Sequence, residues 1–235
     1  MKALIFAAGL GERMRPLTDH TPKPLLQVAG KPLIVWHLEK LAALGVSDVV
    51  VNTSWLASRF PQTLGDGSRW GLQLHYSYEG HTPLETGGGM QHALPLLGDA
   101  PFIAVNGDIW SDFDFATLSL DPPGCAQLVL VDNPLHNPHG DFALAESRRV
   151  ASEGEAKLTF SGIGVYRAAL LRDWRAVVGN VAGTECNPPR FKLAPLLRAA
   201  MACGTVTGLH HLGRWTDVGT PQRLEALDGE LTGRD

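Results

Sequence analysis

The sequence predicts an α/β protein: a three-layer, Rossmann-like, mostly parallel sheet with a small antiparallel excursion in its second half. Three observations predict it. Apolar runs at residues 2–8, 48–53, 72–77 and 102–105 have strand length. Segments with helical spacing or a glycine-rich start separate them. Strands alternating with helices imply a parallel sheet with right-handed crossovers. The chain of 235 residues is expected to form a single domain over 1–235, with halves at 1–112 and 113–235.

Residues 2–8 read as a buried strand. The loop 9–31 is long for an α/β connection, and loops of that length are usually functional. Leu33, Ile34, Leu38, Leu41, Ala42 and Leu44 recur at helical spacing and predict a helix over 32–44. Pro32 suits its first turn and Gly45 its stop. Strands follow at 48–53 and 72–77, separated by a short helix over 55–64 and a turn at 65–68. Residues 79–85 form a polar loop, and Thr86-Gly-Gly-Gly89 opens a helix running to Leu97. Phe102–Val105 is a strand that ends in Asn106-Gly-Asp108. The second half is less regular. Strands are expected at 126–132, 141–145 and 158–166, the last two antiparallel around a hairpin connection at 146–157. Helices are expected at 167–178, 192–203 and 221–231, with a loop at 179–189 and a turn at 215–220.

Composition limits the function. The net charge of −4 gives no electrostatic footprint for nucleic acid or an anionic membrane. An anionic ligand must then be held by a few placed cations. Cys125, Cys186 and Cys203 are odd in number and form no CxxC, which argues against a disulfide framework or a zinc site. Reduced thiols in a cytoplasm are expected. No run approaches the roughly 18 apolar residues of a membrane span. The chain enters a strand after one lysine, so no signal peptide is expected.

The opening loop carries the clearest chemistry. Gly9 and Gly11 let the backbone turn sharply and approach a ligand, and the N–H groups of such a turn form an anion nest. Arg13 supplies a planar fork matched to phosphate oxygens, and Lys23 a compact ammonium. The run is not a P-loop, because the glycine–lysine–serine/threonine ending is absent, and Met14 replaces the third glycine of a dinucleotide fingerprint.

Ala7-Ala-Gly-Leu-Gly-Glu-Arg13, Pro16-Leu-Thr18 and Pro22-Lys-Pro-Leu25 resemble the signature of the sugar-1-phosphate nucleotidylyltransferases. The resemblance continues through Pro83-Leu-Glu-Thr-Gly-Gly-Gly89, Asn106-Gly-Asp108, Ser161-Gly162 and Trp215-Thr-Asp-Val-Gly-Thr220, and so covers nearly the whole chain. It implies a nucleotide-diphospho-sugar transferase fold, with a nucleotide-binding first half and a sugar-binding second half. The Leu84-Glu-Thr-Gly-Gly-Gly89 variant, the compact C-terminus and Phe191-Lys-Leu-Ala-Pro-Leu-Leu197 are similar to the branch that uridylylates N-acetylmuramate 1-phosphate in cell-wall recycling. Other sugar specificities are alternatives, such as mannose 1-phosphate guanylyl transfer or glucose 1-phosphate uridylyl or thymidylyl transfer. A non-catalytic nucleotide-sugar sensor is the alternative of another class. Arg13, Lys23, Asp108 and Asp217 together argue against a sensor. The expected partners are small molecules, UTP and a sugar 1-phosphate, with no nucleic acid and no membrane. The C-terminal helix leaves no β-helix for trimerisation, so a monomer or small homo-oligomer is expected.

The reaction needs an in-line attack of a sugar phosphate oxygen on the α-phosphorus, which is catalysed mainly by positioning and charge neutralisation. By the resemblance, Asp108 and Asp217 hold Mg²⁺. Ala8, Gly9, Gly11, Glu12 and Arg13 bind the nucleotide, Arg13 grips the leaving pyrophosphate, and Lys23 meets the α-phosphate or the sugar phosphate. Glu79, Gly87 and Gly88 are expected near the base, with the glycines leaving room for a flat ring. An ionised Glu79 can only accept hydrogen bonds, which disfavours ATP and leaves UTP and GTP. Asn106, Gly140, Asp141, Ser161 and Gly162 are implied as sugar contacts. The Glu-Glu-Lys-Pro segment of larger relatives is absent, and Lys157 and Lys192 are the candidates to replace its lysine. Gly164 is expected to open space for a 3-O-lactyl group. The histidines are read as loop and strand residues. Trp55 and Trp110 are read as packing.

Overall fold

The computed structural model describes residues 1–233. Strand β1 (Lys2–Phe6) leads through the glycine loop to β2 (Gln27–Val28), β3 (Lys31–Pro32), α1 (Leu33–Ala43) and β4 (Asp48–Thr53). Then come α2 (Arg59–Leu64), β5 (Gln73–Tyr78), α3 (Glu85–Leu97), β6 (Phe102–Asn106) and β7 (Ile109–Ser111). Strands β8 (Ala126–Val131), β9 (Ala143–Leu144), β10 (Val150–Ala151) and β11 (Thr159–Tyr166) follow. The described chain closes with α4 (Trp174–Val178), α5 (Ala194–Ala202), β12 (Val206–His211), β13 (Trp215–Asp217) and α6 (Pro221–Thr232). Seven strands make the main, mostly parallel sheet. The pairs β2–β3, β7–β13 and β9–β10 are antiparallel. No described helix is long and apolar enough to cross a membrane.

The chain divides into two compact units. The first contains Met1–Pro83, Val105–Ala116 and the segment from Arg214 onward. Here β1, β4 and β5 are parallel neighbours, with Leu4 opposite Val50 and Val50 opposite His75. Ala3, Leu4, Ile5 and Val49–Val51 are fully buried, which is why these strands read as unbroken apolar runs. Helix α1 buries Leu33, Ile34, Leu38 and Leu41, and ends at Gly45, whose φ of 82° suits glycine. Helix α6 starts at the Thr220 cap, whose Oγ1 accepts from the Arg223 N–H at 3.3 Å.

Helix α6 packs beside the glycine loop. Leu227 is 2% exposed in a cluster with Met14, Leu26, Val28, Leu33, Trp110 and Val218. Asp228 Oδ1 accepts from the Ala29 N–H at 2.8 Å, tying the helix to the β2–β3 turn. Leu227→Ala therefore leaves a cavity behind Met14. It is expected to cost about 2–4 kcal/mol and to lower Tm by on the order of 10 °C in a thermal melt.

The second unit contains Leu84–Ala104 and Thr117–Gly213. Strand β8 lies between parallel β12 and antiparallel β11, whose register slips between Phe160 and Gly164. The antiparallel pairing expected between 141–145 and 158–166 is reduced to a bridge between Phe142 and Leu158; β11 pairs instead with β8, and β9 with β10, which lies inside the expected connection 146–157. Phe102 stacks on the fully buried Tyr166 with centroids 6.2 Å apart.

Some expectations need correction. The helix expected over 167–178 is a 3-10 turn at Ala168–Leu171 followed by α4. Asp173 separates them with non-helical φ −107° and ψ 30°. The turn expected at 215–220 begins as β13, and β2, β3, β7, β10 and β12 lie outside the expected strands. Except for β12, these strands have only two or three residues, too few for a local period to mark them, and β7 and β13 in addition depend on partners distant in sequence.

Candidate active site

The glycine loop leaves the carboxyl end of β1, where ligands gather in α/β sheets. Gly11 has a φ of 66°, and a Cβ there would sit 2.8 Å from Thr18 Cγ2. Thr18 Oγ1 donates to Gly11 O at 2.8 Å and closes the loop on itself. Gly9 is different: a Cβ there would meet no atom within 4 Å. The fold needs glycine at 11, whereas at 9 the open space faces the cleft. Met14 and Arg15 N–H bond back to Gly11 O and Glu12 O, which leaves Leu10–Arg13 N–H outside the turn's own bonding. Arg13 and Glu12 are exposed, and Ala8 is buried. Arg13 has no ion-pair partner among the described residues.

These features predict two separable results. Gly11→Ala is expected to lose about 1–3 kcal/mol of stability through positive φ and the Thr18 clash. Gly9→Ala is expected to keep its Tm while binding nucleotide roughly tenfold more weakly, because the added methyl enters the cradle. Thermal melts and nucleotide titrations of the two variants check this.

A cleft of about 380 Å³ is lined by residues 9–14 with Lys23, Asp108 and Gly219. Pro22 and Pro24 flank Lys23 in a tight turn, and its side chain is only 11% exposed. Its Nζ donates to Asp108 Oδ2 at 2.6 Å. The segment that carries Asp108 is pinned from several sides. Gly107 N–H donates to Phe6 O at 2.8 Å, and a Cβ at 107 would collide with that oxygen. His37 Nε2 lies 2.9 Å from Ile109 O; burial pushes its pKa down to about 4, so the ring is neutral and donates this hydrogen bond. Lys40 Nζ donates to Ser111 O at 2.5 Å and Phe113 O at 2.9 Å. Helix α1 thus fixes the strand leaving the Asp108 turn.

The β7–β13 ladder brings Asp217 beside the turn that carries Asp108, and Gly219, two residues on, lines the cleft. Asp217 is paired with Ile109, and Val218 N–H donates to Asp108 O at 2.8 Å. Two acids from distant segments are therefore attached to neighbouring positions of one short ladder. Arg223 Nη1 pairs with Asp217 Oδ1. A Cβ at Gly219 would strike the Arg223 guanidinium and lie 3.0 Å from Asp217 Oδ2, so glycine is what lets this pair lie over the turn. Two hard carboxylates suit a small divalent cation that keeps water and substrate phosphates as its other ligands. Among the described residues no group of three or more His, Cys, Asp or Glu could hold a metal ion.

Glu79 is 5% exposed at the end of β5. Asn52 Nδ2 donates to Glu79 Oε1 at 2.6 Å, and Asn52 Oδ1 accepts from the Ala7 N–H at 2.5 Å. Ser54 Oγ donates to Gly80 O at 2.6 Å, and Trp55 Nε1 to Thr18 O at 2.9 Å. Asn52, Gly219 and Arg223 join the site only through the fold. Asn52 had a visible signal, as a polar residue closing the Asp48-Val-Val-Val run. Arg223 had none, since its partner is set by the turn.

Asn106 is half-buried at the end of β6, two residues before Asp108. The remaining expected residues belong to the second unit, and several find structural uses. Gly87 and Gly88 N–H both donate to Phe191 O at 3.0 Å. A Cβ on Gly87 would meet the Phe191 ring at 2.6 Å, and one on Gly88 would strike Pro189 O. The space expected for a flat base is thus taken by residues 189–191. Ser161 is 1% exposed; its hydroxyl donates to Val129 O and accepts from Ile163 N–H. Gly140 has φ 61° beneath Lys157 O, and Gly162 has φ 84° within the irregular stretch of β11. Asp141 Oδ2 accepts from the Phe160 N–H at 2.8 Å. A Cβ at Gly164 would lie 2.8 Å from Gln127 O and 3.0 Å from the Tyr166 ring, so this glycine serves strand packing and opens no room for a lactyl group. Lys157 pairs with Glu153 at 2.7 Å, whereas Lys192 is exposed.

The comparisons with known proteins agree with this geometry. Residues 2–121 match the family described as Nucleotidyl transferase. The chain is 50% identical to the N-acetylmuramate alpha-1-phosphate uridylyltransferase of Neisseria meningitidis serogroup B, over 96% of both chains. It is 35% identical to the enzyme of the same name from Caulobacter vibrioides, over 97% of this chain and 96% of that one. Among solved structures, a Bacillus anthracis protein assigned as a glucose-1-phosphate thymidylyltransferase superposes with a TM-score of 0.79 at 19% identity, covering 98% of this chain and 94% of that one. That likeness concerns the fold. A glycine loop carrying Arg13, a buried lysine on Asp108 and a second acid on the adjoining ladder are what phosphoryl chemistry without a covalent nucleophile requires. The chain belongs to the nucleotidyl transferase family.

Proposed function

We propose that the chain transfers a uridylyl group from UTP to N-acetylmuramate 1-phosphate, giving UDP-N-acetylmuramate and pyrophosphate. The single observation that carries the reaction class is the cleft in which Lys23 meets Asp108 beneath the glycine loop. The substrate assignment rests on the likeness to the two uridylyltransferases. The reaction belongs to recycling of cell-wall sugar in the cytoplasm.

In this reading an oxygen of the sugar phosphate attacks the α-phosphorus, and the bond to the bridging oxygen breaks. Pyrophosphate leaves with the bonding electron pair. Ala8, Gly9, Gly11 and Glu12 shape the triphosphate cradle, and Arg13 closes a fork on the leaving pyrophosphate. Lys23 leaves Asp108 for the phosphate oxygens that gain charge. Asp108 and Asp217 would hold Mg²⁺, which supplies charge neutralisation to the phosphates when bound. Glu79 accepts the uracil N3–H. Asn106 and Asp141 face the sugar, and exposed Lys192, rather than Glu153-paired Lys157, meets its phosphate.

The test is pyrophosphate release from UTP, GTP, CTP and ATP against several sugar 1-phosphates, with and without Mg²⁺. The expected result is Mg²⁺-dependent turnover with UTP and N-acetylmuramate 1-phosphate above every other pair. Preference for GTP with mannose 1-phosphate would reassign the substrate, and binding without pyrophosphate release would make the chain a sensor.

A further inference from the structure

We infer that Asn52 is a positioning residue that locks the triphosphate cradle to the base-reading carboxylate. This deepens the proposed function and rests on its assignment of Glu79 to the uracil edge. Asn52 is 2% exposed, so its amide must be satisfied by protein. The chemistry fixes its orientation. Ala7 N–H can only donate, so the amide oxygen faces it at 2.5 Å. The amide NH₂ then faces Glu79 Oε1 at 2.6 Å.

Two consequences follow. First, Ala7 is the last residue before Ala8 and the glycines, so the start of the cradle is tied to β4. Ser54 on Gly80 and Trp55 on Thr18 extend the same lacing to both flanks. Second, Glu79 is a buried carboxylate, and a charge there is sustained only by donors. Asn52 is one such donor and keeps the carboxylate an acceptor. An acceptor matches uracil N3–H and repels cytosine N3, which is itself an acceptor. Losing the donor favours a protonated Glu79, which can donate to cytosine instead. Asn52 therefore acts on nucleotide affinity and on the choice between UTP and CTP without touching either.

The experiment compares wild type, Asn52→Ala and Asn52→Asp by steady-state kinetics and by equilibrium titration with UTP and CTP. Asn52→Ala is expected to lower kcat/KM for UTP roughly tenfold or more and to cut UTP-over-CTP discrimination by a similar factor. KM for the sugar phosphate should stay within about twofold, because the relay lies on the nucleotide side. Asn52→Asp preserves the shape and places two carboxylates in contact, which raises the pKa of the pair. Above that pKa both ionise and the contact breaks; below it the shared proton restores the bridge. Its kcat/KM relative to wild type should therefore rise as pH falls from 8 to 6. A wild-type kcat/KM in Asn52→Ala, or a flat ratio for Asn52→Asp across that range, overturns the relay. Because Asn52→Asp keeps the packing, it decides the question even where Asn52→Ala does not fold. If wild type does not convert UTP, the uridylyl reading fails by itself, and the UTP and CTP titrations still judge the relay.

Discussion

Lys23→Ala is expected to lower kcat for nucleotidyl transfer by roughly 10²–10³-fold, with the fold intact. Two magnitudes set this outcome. The Lys23–Asp108 pair lies at a cleft, with side chains 11% and 39% exposed. Its contribution to stability is about 1 kcal/mol or less, because partial solvation screens the pair and offsets its attraction. An ammonium aimed at a phosphate that gains charge in the transition state is worth about 3–4 kcal/mol there, because it is preorganised. The function term therefore exceeds the stability term several-fold. A thermal melt of Lys23→Ala should stay close to wild type while pyrophosphate release collapses. Lys23→Arg should recover little, since the longer planar fork does not fit the narrow turn between Pro22 and Pro24. Near-normal turnover in Lys23→Ala would remove Lys23 from the chemistry and leave it as a clamp for Asp108.

Asp108→Asn and Asp217→Asn should each lower kcat by about 10²–10³-fold and shift the Mg²⁺ activation curve to much higher concentration. Asparagine keeps size and an acceptor oxygen but loses the charge that a hard cation needs. Each substitution also removes the partner of a site cation, Lys23 or Arg223. Activity alone cannot separate these effects, so the decisive measurement is Mn²⁺ binding by electron paramagnetic resonance in the presence of UTP. Weakened Mn²⁺ binding in both variants assigns the acids to the metal. Unchanged binding with lost activity would instead make them orienters of Lys23 and Arg223.

Much of this was legible locally. Gly9, Gly11, Arg13 and Lys23 could be read as a phosphate cradle because a glycine turn with placed cations needs no distant partner to be recognised. The strands 48–53 and 126–131 were legible because burial on both faces demands unbroken apolar runs. Asp108 and Asp217 were legible as acids at motif positions, but their proximity was not. It depends on β7 and β13, two three-residue strands that exist only because they pair with each other. Asn52 could have been noticed as a polar break in an apolar run, although its two partners lie 45 and 27 residues away.

Glycines expose the limit of local reading most clearly. Gly11, Gly87, Gly88 and Gly164 look alike in a sequence, as freedom or empty space. The fold fills that space with Thr18, Phe191, Pro189 and Tyr166, whereas a Cβ at Gly9 would meet no atom within 4 Å. By itself the sequence determined the alternating α/β architecture and the chemical class of the site, because periodicity and residue type are properties of short segments. Tertiary structure alone decided which acid sits on which cation, which glycines serve packing, and that Asn52 joins the cradle to Glu79. Those are matters of contact between segments far apart in the chain, and they are set when the apolar faces of β1, β4 and α1 are buried together.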